Sequence, residues 1–308
     1  MRLSKILLSI LALIFITILI VLLYRNLSQI DWELVADSFR FLKIQTALLA
    51  IAAVLCNICI LISFDILSSQ ILQLGLKFSQ VSKSAFLSYV LNMNFGAILG
   101  GVGVRFRLYK KLNVQPLKIP LIVIFSSLSN WIGYFLILGL ILLFNPPSFA
   151  VKYLSTLTST IGFFSLVISF LYLIACFKGL SFSIKKTLIQ FPKFKLSLLQ
   201  LLLGCFQWMT QSLVIFIFLN SFNVSISYYD VLATLLIAAI IGLLTHIPSG
   251  IGVLEGVFFT LTPTTYHPQV LAGLLCYRVV YNLVPLVFAF PSYLMTEAKG
   301  IHRSIKQY

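Results

Sequence analysis

The chain is 308 residues long, with 60% hydrophobic and 9% charged positions and a formal net charge of +15. That leaves too little polar surface to clothe a water-soluble globule of this size, so the bilayer must act as its solvent. The positive excess does not point to nucleic acid, because the Lys and Arg residues sit in short clusters between apolar stretches rather than along one solvated face.

A helix needs about 20 apolar residues to cross a hydrocarbon core of ~30 Å, and such stretches recur along the chain. The first, 6–24, is longer than the roughly 7 to 15 residues of a signal-peptide core and no small-x-small cleavage pattern follows, so it reads as a retained anchor. Asp31, Trp32, Glu33 and Asp37 mark an interfacial amphipathic helix, making 1–43 an anchor plus interfacial helix. Further full spans are predicted at 44–66, 119–144, 158–177, 197–220 and 269–295, six in all. Stretches 84–104 and 231–262 are also apolar but are interrupted, by Gly100, Gly101 and Gly103 and then by Pro248, Gly250 and Gly252. These breaks predict paired half-helices.

Cytoplasmic loops carry the excess of Lys and Arg, which fixes the expected topology. Arg2 and Lys5 place the N-terminus inside, and the tail 296–308 with Lys299, Arg303 and Lys306 follows it there. Lys77 and Lys83 on one flank of 84–104, and Arg105, Arg107, Lys110, Lys111 and Lys118 on the other, are all cytoplasmic by the same count. A stretch that starts and ends on one side must dip in and return, so 84–104 reads as a re-entrant hairpin, and 231–262 as a second one entering from the opposite face. Segment 158–196 is a connecting span with a basic cytoplasmic loop.

The run Gly101-Val102-Gly103-Val104 recurs as Gly250-Ile251-Gly252-Val253, half the chain away. Each hairpin lies between two spans, and the two triplets have opposite orientations. The fold expected is therefore an all-α polytopic bundle built as an inverted repeat, 44–144 and 197–295. Carriers with alternating access use such repeats, with sites where discontinuous helices meet near the midplane. Broken backbone at that depth needs protein or water around it.

A charge in hydrocarbon costs at least about 2.5 kcal/mol on insertion scales, so each one needs a partner or a cavity. Asp65 ends the second span, Arg105 closes the first hairpin, Glu255 lies just past the second break, and Arg278 sits near the middle of the last span. A Glu255–Arg278 pair would cancel two desolvation penalties, and a substrate role is the competing reading. Asn130 falls beside the repeat counterpart of Arg278. Arg105 and Arg107 suit bidentate contact with a lipid phosphate, or act as simple cytoplasmic anchors. Asn92 and Asn94 are two apart, which suggests irregular backbone or a wet surface. His246 could titrate near neutral pH, although a lone histidine more often packs as a hydrogen-bonder.

Cys56, Cys59, Cys176, Cys205 and Cys276 all lie in apolar stretches and read as small hydrophobes. No zinc pattern, P-loop, HExxH or GxSxG is present, so no metal, cofactor or ATP drive is expected.

The run NMNFGAILGGVGVRFRLY from Asn92, Phe64-Asp65 upstream, Ser129-Asn130-Trp131-Ile132-Gly133-Tyr134 downstream and HIPSGIGVLEG from His246 together resemble the lysylphosphatidylglycerol synthetase transmembrane family. The likeness covers roughly 40–295 and is strongest to the short stand-alone, YbhN-like inner-membrane branch. It implies a flippase-like region for phospholipids, as in the multiple peptide resistance factor, where that region accompanies a soluble aminoacyl-transferase domain. With 13 residues after Met295, lipid aminoacylation is not expected of this chain. The resemblance carries a lipid-path role to Asp65, Arg105, Arg107, Asn130, Glu255 and Arg278. Phe64 stands where the family commonly has tyrosine, so no hydroxyl is expected there. A non-enzymatic carrier of anionic phospholipid in the bacterial inner membrane is the leading expectation. A non-catalytic partner of a lipid synthase or envelope glycosyltransferase is the second, and an intramembrane enzyme on lipid-linked substrates the third.

Overall fold

The computed structural model describes residues 32–40, 42–184, 187–245, 250 and 252–305; the predicted span 6–24 and His246 lie outside the described residues. Among the described residues six helical stretches are long and apolar enough to cross a membrane: Ile44–Ile71, Ile119–Phe144, Thr156–Phe177, Phe194–Ser221, Tyr228–Thr245 and Thr264–Ala298. Five overlie predicted spans, and Tyr228–Thr245 occupies the first arm of the second broken stretch. The chain divides into two compact units, Met1–Ala52 with Ser212–Tyr281, and Ala53–Gln211 with Asn282–Tyr308.

The larger unit takes most of α2 (Ile44–Ile71), then α3 (Phe78–Phe95), α4 (Val104–Lys111), α5 (Ile119–Phe144), α6 (Ser148–Phe177), most of α7 (Phe194–Ser221) and α11 (Val284–Ile305). Helix α3 stops at Gly96, whose φ of 81° is open to glycine without steric cost, and whose N–H still bonds the Asn92 carbonyl at 2.9 Å. A π-helical turn, Ala97–Gly103, follows and runs back along α3. At Gly100 the approach is so close that a Cβ would lie 2.0 Å from the Leu91 carbonyl oxygen. The return arm α4 then buries Val104 and Leu108 against Leu87, Val90 and Leu91 of α3 and Ala289 of α11. Within this unit α5 packs closely on α6, and Gly133 of α5 meets Gly204 of α7 backbone to backbone, the small-residue contact that helices use in lipid.

Between α6 and α7, where the sequence predicts only a basic loop, β1 (Ser181–Ile184) and β2 (Thr187–Gln190) pair antiparallel, Ser181 opposite Gln190. In β1 serine alternates with phenylalanine and isoleucine, which matches the period of a strand.

The smaller unit holds α1 (Trp32–Arg40), α8 (Tyr228–Thr245), α9 (Val253–Leu261) and α10 (His267–Arg278), with the adjoining ends of α2 and α7. Helix α1, expected from its acidic residues and tryptophan, packs on α10 and sets Phe39 edge-on to Phe222, ring centres 6.3 Å apart. Helix α9 folds back on α8 and starts at Gly252, again with φ 81°. Its nine residues reach only ~13 Å, less than half of a hydrocarbon core. Leu236, Phe258, Val270 and Leu274 are fully buried here. After Arg278 the backbone passes through a second π-helical turn, Val279–Leu283, before α11.

Candidate functional site

In the larger unit the chemistry gathers on Asp65, which α2 presents with no solvent exposure. Its carboxylate accepts from Arg105 Nε at 3.1 Å and Nη2 at 3.0 Å, from the Tyr109 hydroxyl at 2.9 Å and from the Ser126 hydroxyl at 2.7 Å. Ser68 lies 3.0 Å behind Ser126. Arg105 and Tyr109 are four apart on α4 and so share a face, and the reversal at Gly96 brings that face to α2. Arg105 is 4% exposed and its Cζ sits 4.2 Å from the centre of the Tyr89 ring, a cation–π contact. Stripping water from two charges costs several kcal/mol each, and the bidentate geometry with two hydroxyl donors is the arrangement that offsets it. The Tyr89 hydroxyl is buried without a hydrogen-bond partner among the described residues.

The smaller unit repeats the chemistry with other residues. Arg278, at the end of α10, donates to Glu255 through Nε at 2.6 Å and Nη2 at 2.9 Å, and Nη2 also reaches the Gly250 carbonyl at 3.2 Å. Glu255, in the first turn of α9, accepts from the Gly252 backbone N–H at 2.9 Å. The pair therefore ties the glycine break on both sides, and the carboxylate also faces the positive end of the α9 dipole.

The other sequence-predicted residues lie apart from these two clusters. Arg107 is largely exposed and contacts Glu297 at 3.4 Å. Asn92 covers Gly101, where a Cβ would be 2.8 Å from its Oδ1. Asn94 donates to the Val90 carbonyl at 2.9 Å and to that of Asn282 at 3.2 Å. The Asn130 carbonyl accepts from the Trp208 indole at 3.2 Å, while its Oδ1 is buried without a partner among the described residues. Arg105, expected to be available to a phosphate, has its guanidinium fork turned onto Asp65.

Sequence reasoning missed Tyr89, Tyr109 and Ser126, and it missed a polar stripe on α7. Ser197, Gln200, Gly204, Gln207 and Gln211 recur at steps of three and four, the signature of one helical face. Gln200 bridges the Tyr172 hydroxyl at 2.5 Å and Ser129 at 2.9 Å. Asn57, fully buried, donates to the Gln207 carbonyl at 2.8 Å and to Thr210 at 2.7 Å. That periodicity in an apolar helix was the available signal.

Residues 7–289 match the family described as the lysylphosphatidylglycerol synthase TM region. The inner membrane protein YbhN of Escherichia coli is 32% identical over 97% of this chain and 94% of its own length. An uncharacterized Synechocystis protein, slr0712, is 32% identical over 85% and 82%. A phosphatidylglycerol lysyltransferase of Staphylococcus aureus is 26% identical over 88% of this chain, which corresponds to 32% of that enzyme. With six apolar helical stretches among its described residues, this multi-pass membrane protein belongs to the lysylphosphatidylglycerol synthase TM family.

Proposed function

We propose that the protein is a non-enzymatic, flippase-like carrier that moves an anionic phospholipid between the leaflets of the bacterial inner membrane. The observation that carries the reading is a buried arginine–carboxylate pair at a glycine-broken helix in each unit: Asp65–Arg105 beside the Gly96 reversal and Glu255–Arg278 across Gly250 and Gly252. The guanidinium fork matches a phosphate as well as a carboxylate, so an incoming lipid phosphate can compete for it, and the carboxylate it displaces must then find a proton or water. The names of the relatives support the rest. One is an inner membrane protein, and another acts on phosphatidylglycerol, which makes that lipid the first substrate to test. The two fold-backs then serve as re-entrant hairpins entering from opposite faces of an inverted repeat, 44–144 and 197–295.

The test is translocation in liposomes holding the purified protein and fluorescent phosphatidylglycerol, cardiolipin or phosphatidylethanolamine, with dithionite quenching the outer leaflet. Quenching beyond the half seen without protein, lost in Arg105→Ala, is the expected result. If no lipid moves, with or without an ion gradient, the autonomous carrier is wrong and the membrane-partner reading replaces it.

A further inference from the structure

Away from both ion pairs, α3 and α11 of the larger unit leave an open groove of about 340 Å³. Its walls are Val287, Phe288, Pro291 and Met295 of α11, and Lys83 of α3 and Thr296 of α11 also line it. Ala289 on the other face of α11 is fully buried against α3, so the groove-side residues point outward, Val287 and Phe288 each 68% exposed. Pro291 lies inside α11 here and supplies no N–H to the Val287 carbonyl.

The groove is graded in polarity. Val287 and Thr296 are nine residues apart on one helix, ~13 Å of rise, so the groove begins on Val287 and Phe288, passes the Ser292 hydroxyl midway and ends on Thr296. That end is strongly basic: Lys111 reaches the Thr296 carbonyl at 3.3 Å, with Arg107 close by on Glu297. Asp65 and Glu297 are the two acids in the sequence of this unit, and both are occupied, Asp65 by Arg105 and Glu297 by Lys111 at 2.8 Å and Arg107. No carboxylate among the described residues pairs with Lys83, so its exposed ammonium is open to an anion from outside the chain.

We propose that the groove holds a resident anionic phospholipid, phosphatidylglycerol, with one acyl chain against Val287, Phe288, Pro291 and Met295 and the phosphate on Lys83. The volume is at the small end of ligand sites and fits part of one chain rather than a whole lipid. Basic pockets between membrane helices select anionic head groups by this same charge match. The site is separate from both buried arginine–carboxylate pairs, and the inference does not rest on transport.

Native mass spectrometry of the detergent-purified full chain, titrated with phosphatidylglycerol or phosphatidylcholine, tests it without a translocation assay. One phosphatidylglycerol per chain should survive where phosphatidylcholine does not. Lys83→Ala should weaken retention about fivefold, what one basic side chain near an anionic lipid is worth. Lys83→Arg should keep it, and Val287→Trp, by filling the groove, should abolish it. Equal retention of the two lipids, or full retention in Val287→Trp, overturns the proposal, and these two readings stand even if Lys83→Ala cannot be recovered as a monodisperse protein.

Discussion

Asp65 collects four hydrogen bonds from three side chains of α4 and α5, and among the described residues it is the one carboxylate paired with Arg105. Removing one member of a buried pair leaves the other charge uncompensated, at about 3–5 kcal/mol, whereas one hydrogen bond to a charged group is worth about 1.5–3. Asp65→Asn should therefore lower the denaturant midpoint in detergent clearly more than Tyr109→Phe does, and equal losses would mean that the pair does not anchor the fold-back. For the second pair the question is role. If Arg278 handles substrate, Arg278→Ala stops translocation and adding Glu255→Ala does not restore it; if the pair only holds the Gly250–Gly252 break, the double variant regains activity. The sequence makes Glu255–Arg278 legible because each is the isolated charge of its apolar stretch. Asp65–Arg105 was hidden, since 40 residues separate the two and nothing in helical periodicity says which face of α4 the Gly96 reversal turns toward α2.

Among the elements, long spans are easy to read because a run of about 20 apolar residues has few other fates. The π-helical turns at Ala97–Gly103 and Val279–Leu283 were not legible, because their register is chosen by what the backbone packs against rather than by composition. The ribbon Ser181–Gln190 was also lost, its alternation being short and flanked by lysines. The energetic contrast between kinds of contact is testable at this scale. Gly100→Ala puts a Cβ 2.0 Å from a carbonyl of α3 that cannot swing away, so the arms must separate, at more than the 1–3 kcal/mol typical of overpacking. Gln200→Leu removes bonds to Tyr172 and Ser129, yet such interhelical bonds in lipid average about 0.6 kcal/mol. Unfolding titrations in detergent should rank Gly100→Ala as much the worse, and the reverse order would show that the polar stripe of α7 outweighs the close backbone packing of the first fold-back.

For the whole molecule, the two Gly-x-Gly runs lead straight into short helices, α4 of eight residues and α9 of nine, and each short helix brings one half of a buried ion pair. The polarity is exchanged: α4 carries the arginine and α9 the carboxylate. That correspondence supports reading 44–144 and 197–295 as inverted halves, and membrane sidedness decides it. Arm α4 folds back on α3, so residues 77 and 113 at the ends of the first fold-back belong on one face, the cytoplasmic one if the clustered lysines obey the charge rule. Residues 227 and 264 at the ends of the second belong on the other face. Single cysteines at Lys77, Asn113, Ser227 and Thr264, placed in a chain whose five native cysteines are replaced, should react with an impermeant maleimide in two pairs, the first only in inside-out vesicles and the second only in intact cells. Reaction of Lys77→Cys and Asn113→Cys from opposite sides would make 78–111 a full crossing, reverse the orientation of everything after it, and remove the inverted symmetry on which alternating access depends.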